Sequence, residues 1–110
     1  MPDPLKDIEQ LVLLALVRLG EEAYGIPVRA DIEERAGRSV SLATIYGVLE
    51  RLETEGLAQA RMSEPLPERG GRARRMYRIT PRGLAALRAA RQALTKIWGG
   101  PGLHPDLRIR

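Results

Sequence analysis

Apolar residues return at helical spacing near the start of the chain. Ile8, Leu11, Val12, Ala15, Leu16 and Leu19 line one face of a predicted helix over residues 7–19. Leu13, Leu14 and Val17 leave its opposite side apolar as well. A helix apolar on every side requires cover on every side, which a chain of 110 residues rarely supplies alone. A second copy is therefore expected against the outer face. Gly20 tolerates positive φ and ends this helix. A second helix is predicted over residues 26–36, with Pro27 in its first turn, a thin stripe of Val28, Ile32 and Ala36, and a stop at Gly37. Ser41 is the N-cap of a third, whose inner row is Leu42, Ile45, Leu49 and Leu52. Ala43, Thr44, Gly47, Val48 and Arg51 fall on its other faces, and Gly56 ends it.

The period then changes. Residues 57–62 have strand character, and "SEPLPERGG" follows with a density of Pro and Gly that marks a turn. In "ARRMYRIT" the side chains alternate, Arg74, Met76 and Arg78 on one face and Arg75, Tyr77 and Ile79 on the other. The two segments make a β-hairpin. Thr80 caps a last helix with Pro81 at its first position. There Leu84, Leu87, Arg91, Leu94 and Trp98 recur at helical spacing, with Ala86, Ala90, Ala93 and Ile97 beside them, up to Gly99-Gly100. The predicted class is mainly α with a small β-hairpin. Residues 1–79 form a winged helix-turn-helix, 80–100 a dimerisation helix, and 101–110 a disordered tail.

Composition narrows the chemistry. Apolar residues make up 44% of the chain but aromatics only 4%, with no Phe, so the core is built from Leu, Ile, Val and Ala. The absence of Cys removes disulfides, thiolate zinc sites and cysteine nucleophiles together. No signal-peptide pattern opens the chain, and its longest apolar run, Leu11 to Val17, is too short to cross a bilayer; the expected location is the cytoplasm. Charge is unevenly spread. Met1 to Ala60 holds 6 basic and 11 acidic residues, a net −5, whereas Arg61 to Arg110 holds 12 and 3, a net +9. The basic half suits a polyanion. A solvated arginine-rich surface meets the same count.

"LVLLALVRLGEEAYG", "VSLATIYGVLERLETEGL", "GGRARRMYRITPRG" and the helix ending in "IWGG" occur in the order found in PadR-type transcriptional regulators. The chain resembles that family over nearly all its length up to Gly100, and its short last helix resembles the smaller members. The resemblance implies a homodimeric bacterial repressor that binds palindromic operators, of a kind that in many members is released by small aromatic or drug-like compounds. Two positions depart from the family pattern: Pro27 stands where a helix former is usual, and Gly47 replaces a common Pro. Gly47 costs the helix roughly 1 kcal/mol relative to Ala. It either permits close approach to DNA or is merely tolerated.

Ser41, Thr44, Tyr46 and Arg51 are the residues expected near phosphates or base edges if the third helix enters the major groove. Glu50, Glu53 and Glu55 favour an ordinary amphipathic helix, although they lie toward its C-terminal end, away from the part that makes contact. Arg69, Arg72 and Arg74, with Gly70 and Gly71 between them, are expected along the DNA backbone or in the minor groove. The alternative is a hairpin edge protected by charge, a role Arg75 and Arg78 fit better. By resemblance, Tyr24 supports a phosphate contact; half-buried packing is its plainer role.

The expected dimer interface is Leu11, Leu14, Leu84, Leu87, Leu94, Ile97 and Trp98. A flat hydrophobic effector is expected near Leu11, Leu94 and Trp98. The tryptophan that the family's small drug-binding members stack on ligands falls nearer Leu94, so packing is the plainer role for Trp98. Metal-ligand spacing, a P-loop and a nucleophile–base set are absent from the sequence, which argues against an enzyme and against any cofactor. The remaining alternative is a winged helix used for protein contacts or non-specific nucleic-acid binding. Such a module has less need of arginines on its wing.

Overall fold

The computed structural model describes residues 4–64 and 73–99. The elements are α1 (Asp7–Leu19), a single 3-10 turn (Gly20–Glu22), α2 (Gly25–Ala36), α3 (Leu42–Thr54), β1 (Ala58–Met62), β2 (Arg75–Ile79) and α4 (Pro81–Ile97). Local signals set most of their ends. Ser41 Oγ accepts from the Thr44 N–H at 3.1 Å, and Thr80 Oγ1 from the Gly83 N–H at 3.0 Å, so two helix starts carry the side-chain caps read from sequence. The N-cap of α1 is Lys6 rather than Ser, Thr, Asp or Asn. Instead Glu9 reaches back to accept from the Lys6 N–H at 2.7 Å. Gly20, Gly37 and Gly56 have φ of 61°, 65° and 77°, the left-handed conformation in which a chain leaves a helix cheaply only at glycine.

β1 and β2 pair antiparallel, from Ala58 opposite Ile79 to Met62 opposite Arg75. The ladder continues one step outward, where Ser63 N–H donates to the Arg74 carbonyl at 2.7 Å. On the inner edge Tyr77 N–H donates to the Ala23 carbonyl at 2.8 Å, which ties the hairpin to the turn between α1 and α2. The expected alternation holds for Tyr77 and Ile79, which face the core while Arg78 faces solvent.

The core lies where α1, α2 and α3 meet and is closed below by Leu57, Ala58 and Tyr77. Two residues depart from the expected pattern. Leu13 belongs to the protomer's own core, because α1 is packed by α2, α3, β2 and α4 together. Of its apolar residues, only Leu14 and Val17 remain exposed, at 39% and 48%. Val48 is likewise buried, since α3 presents Ile45, Val48, Leu49 and Leu52 inward; Leu42 sits half-buried at the rim. Helix α4 divides into two parts. Gly83, Ala86 and Leu87 anchor its start on the domain, whereas every residue from 91 to 99 is exposed.

One ionic cluster fastens α1 to α2. Asp31, whose side chain is 10% exposed, accepts from Arg18 at both carboxylate oxygens and from Arg35 Nε at 3.1 Å. The Arg18 hydrogen bond holds the Asp31 carboxyl below the usual carboxylate range; partial burial opposes this and Arg35 reinforces it.

Candidate nucleic-acid interface

α2 and α3, joined by the short turn 37–41, form a helix-turn-helix with β1 and β2 as its wing. On α3 the Ser41 hydroxyl donates to Thr44 Oγ1 at 2.9 Å while accepting from the Thr44 amide. That arrangement leaves the exposed Thr44 hydroxyl its own proton to donate outward. Tyr46 is 39% exposed and leans on the first residue of α2. A Cβ placed on Gly25 would stand 2.5 Å from Tyr46 Cζ, so the ring lies against bare backbone there. Gly25 did not emerge from the sequence; the signal for it is a small residue directly after an extended N-cap.

Tyr24 is that N-cap. Its hydroxyl accepts from Arg74 Nη1 at 3.0 Å, and the guanidinium lies 4.6 Å from its ring centroid. The tyrosine therefore aims Arg74, just ahead of β2, and keeps its hydroxyl proton available. Through Tyr24–Arg74 and Gly25–Tyr46, the outer end of the described hairpin, the start of α2 and the first half of α3 form one continuous surface. Arg69, Gly70, Gly71 and Arg72 lie outside the described residues.

Several other arginines have partners inside the protein. Arg51 Nη1 lies 3.4 Å from Glu9 Oε2, and Glu9 is the buried charged residue among those described. This links α3 to α1 and engages one end of a guanidinium expected at DNA; the Arg51 side chain stays 44% exposed. The role of Glu9 was hidden in the sequence, where it reads as a surface acid in a first turn. Arg75 donates to Glu53 at 2.6 and 2.7 Å and to the Tyr77 hydroxyl at 3.0 Å. The Glu53 bond comes first among the influences that raise the pKa of Arg75. Arg78 donates to Gln59 across the hairpin. Both guanidinium groups are thus engaged within the protein.

The residues expected at a dimer interface occupy two regions. On α1 and the start of α4, Leu11, Leu84 and Leu87 are half-buried and Leu14 is exposed at 39%. Leu94, Ile97 and Trp98 are exposed at 55%, 79% and 39%, on the far part of α4. A shallow groove between the end of α1, the hairpin and the start of α4 is lined by Val17, Tyr77, Ile79 and Leu84 among others; Leu11, Leu94 and Trp98 are not part of it. Among the described residues, no His/Cys/Asp/Glu group could hold a metal ion, and no helix is long and apolar enough to cross a membrane.

This architecture defines a winged helix-turn-helix protein with an appended C-terminal helix. The profile described as "Transcriptional regulator PadR-like family" matches residues 13–89, and the chain belongs to that family. It is 45% identical over 78 residues to the transcriptional regulator Rv3488 of Mycobacterium tuberculosis, an alignment spanning 69% of this chain and 66% of that protein. A PadR family transcription regulator from Clostridium difficile R20291 superposes with a TM-score of 0.71 at 25% identity, covering 84% of this chain and 91% of the other. A PadR family regulator from Eggerthella lenta superposes with a TM-score of 0.63 at 29% identity, covering 80% and 74%.

Proposed function

We propose that this chain is a transcriptional repressor that binds a palindromic operator in duplex DNA as a homodimer. The observation that carries the reading is the continuous surface of Ser41, Thr44 and Tyr46 with Tyr24 and Arg74. In it α3 supplies side chains for base edges in the major groove, and the Tyr24 hydroxyl and Arg74 guanidinium supply donors for a phosphate. The wing residues Arg69 and Arg72 extend the cationic track through their charge, and Gly70 and Gly71 allow them to approach a groove closely. Arg51, partly committed to Glu9, serves as a secondary phosphate contact.

The second copy packs on Leu14 of α1 and on Leu94, Ile97 and Trp98 of α4, which the protomer leaves exposed; Leu11, Leu84 and Leu87 flank this seam. A planar hydrophobic compound held near Leu11, Leu94 and Trp98 at the dimer centre lowers DNA affinity by favouring a dimer that does not fit the operator. The chain has no catalytic role in this reading.

The experiment is selection of bound duplexes from a randomised library, followed by affinity measurement from 50 to about 300 mM salt. The selected sequence is expected to hold two inverted half-sites about one helical turn apart. Equal affinity for selected and random duplexes at moderate salt would remove the specific repressor reading.

A further inference from the structure

Gly47 lies inside α3, clear of both ends of a 13-residue helix. Glycine is a poor residue for such a position, and a chain that keeps one there usually has a local reason. Three local reasons can be checked. The first is a left-handed backbone, which Gly20, Gly37, Gly56 and Gly99 adopt and Gly47 does not. The second is a neighbour occupying the place of the missing side chain. At Gly25 the Tyr46 ring does so, and at Gly83 the Leu57 carbonyl and Ile79 do so, but a Cβ on Gly47 would meet nothing within 4 Å. The third is a break in the helix, and α3 runs without interruption from Leu42 to Thr54. No reason remains within the described protomer.

The position is exposed and adjoins the residues that would read DNA. Thr44 lies one turn earlier, and Tyr46, whose ring is braced on Gly25, is its neighbour in the chain. We infer that Gly47 is the place where the α3 backbone closes on a base-pair edge in the major groove, and that its missing side chain determines which edge is admitted. The inference rests on the DNA-binding reading above. The edge such a gap suits is thymine, whose C5-methyl projects into the major groove and takes an apolar contact. A bare Cα can meet that methyl; a Cβ on the same carbon competes for its space.

The test uses the full chain and the duplex it selects from a randomised library. Gly47→Ala should raise the melting temperature by roughly 4–8 °C, because helix propensity improves and nothing among the described residues is displaced. The same variant should bind the selected duplex about tenfold or more weakly, the range expected for losing one good base contact. Its affinity for random duplex should stay within about twofold of wild type.

Deoxyuridine in place of each thymine of the selected site supplies the decisive arm. At one position, removal of the methyl should weaken the wild type yet recover part of the loss in Gly47→Ala. Gly47→Leu should lose more than Gly47→Ala, as a steric gap requires. Unchanged operator affinity in Gly47→Ala overturns the inference, as does a lower melting temperature. Complete loss at Ala with no further loss at Leu would assign the glycine to helix flexibility instead. The absence of uridine rescue at every thymine removes the methyl assignment. If the wild type selects no sequence, the DNA-binding reading itself fails; if it selects one and Gly47→Ala binds it equally, only this inference fails.

Discussion

Replacing Gly83 with alanine separates helix propensity from tertiary packing, because the two predict opposite signs. Gly83 is the third residue of α4, and alanine in a helix is favoured over glycine by about 0.8–1.0 kcal/mol. On propensity alone the variant should be more stable. In the fold, however, a Cβ on Gly83 would stand well inside contact distance of the Leu57 carbonyl oxygen and 2.7 Å from Ile79 Cγ1. Ordinary carbon–carbon contact is about 3.5–4.0 Å, so the start of α4 must retreat by roughly 1 Å.

That retreat strains a compact joint. Thr80 N–H donates to the same Leu57 carbonyl at 3.1 Å, Thr80 Oγ1–H donates to the Gly56 carbonyl at 2.7 Å, and Gly83 N–H donates to Thr80 Oγ1 at 3.0 Å. Overpacking costs about 1–3 kcal/mol, and each hydrogen bond stretched there about 0.5–1.5 kcal/mol. Subtracting the propensity gain leaves a net destabilisation of about 2–4 kcal/mol, or a fall in melting temperature of roughly 10–25 °C. Thermal unfolding followed by circular dichroism at 222 nm, at a fixed protein concentration, measures it. A variant as stable as wild type, or more so, would refute the claim that the Leu57 carbonyl dictates glycine at this position.

Asp31→Asn should lose about 1–2 kcal/mol at neutral pH, since the carboxylate accepts from Arg18 and Arg35. The Asp31 pKa is depressed in the folded state, so its stabilisation is complete above the ordinary carboxylate value and is lost as pH falls through the folded one. Urea titrations below about pH 4 should thus show a smaller decline for the variant than for wild type, and parallel declines would refute the pairing. Leu94→Glu combined with Ile97→Glu alters side chains already 55% and 79% exposed. Sedimentation should therefore show a folded monomer, whereas a persistent dimer would place the interface elsewhere. Arg74→Ala with Arg72→Ala should flatten the salt dependence and weaken selected and random duplexes alike, whereas Thr44→Ala should narrow the gap between them. Tyr24→Phe removes the hydroxyl that Arg74 donates to and should act in the same direction as the arginine pair, by less.

The sequence alone determined the elements and most of their boundaries. Ser41, Thr80 with Pro81, and the glycines at 20, 37 and 56 act through bonds and torsions within a few residues, so they are legible without the fold. Period did the same for the hairpin, where alternation put Tyr77 and Arg78 on opposite faces. Family order in four short segments identified the class, because those segments cover the positions that build this domain.

What only the tertiary structure decided are the pairings between distant residues. Leu13 and Val48 went to the core because the number of neighbours packed on α1 and α3 set how wide each buried face is. Glu9 meets Arg51, Arg74 meets Tyr24 and Arg75 meets Glu53 across 42, 50 and 22 positions. The same limit applies to the glycines. Gly25, Gly47 and Gly83 are alike as letters, yet one makes room for a tyrosine, one for a carbonyl, and one faces open space. A glycine's local torsions are its own, but what fills the space beside it depends on how the helices cross.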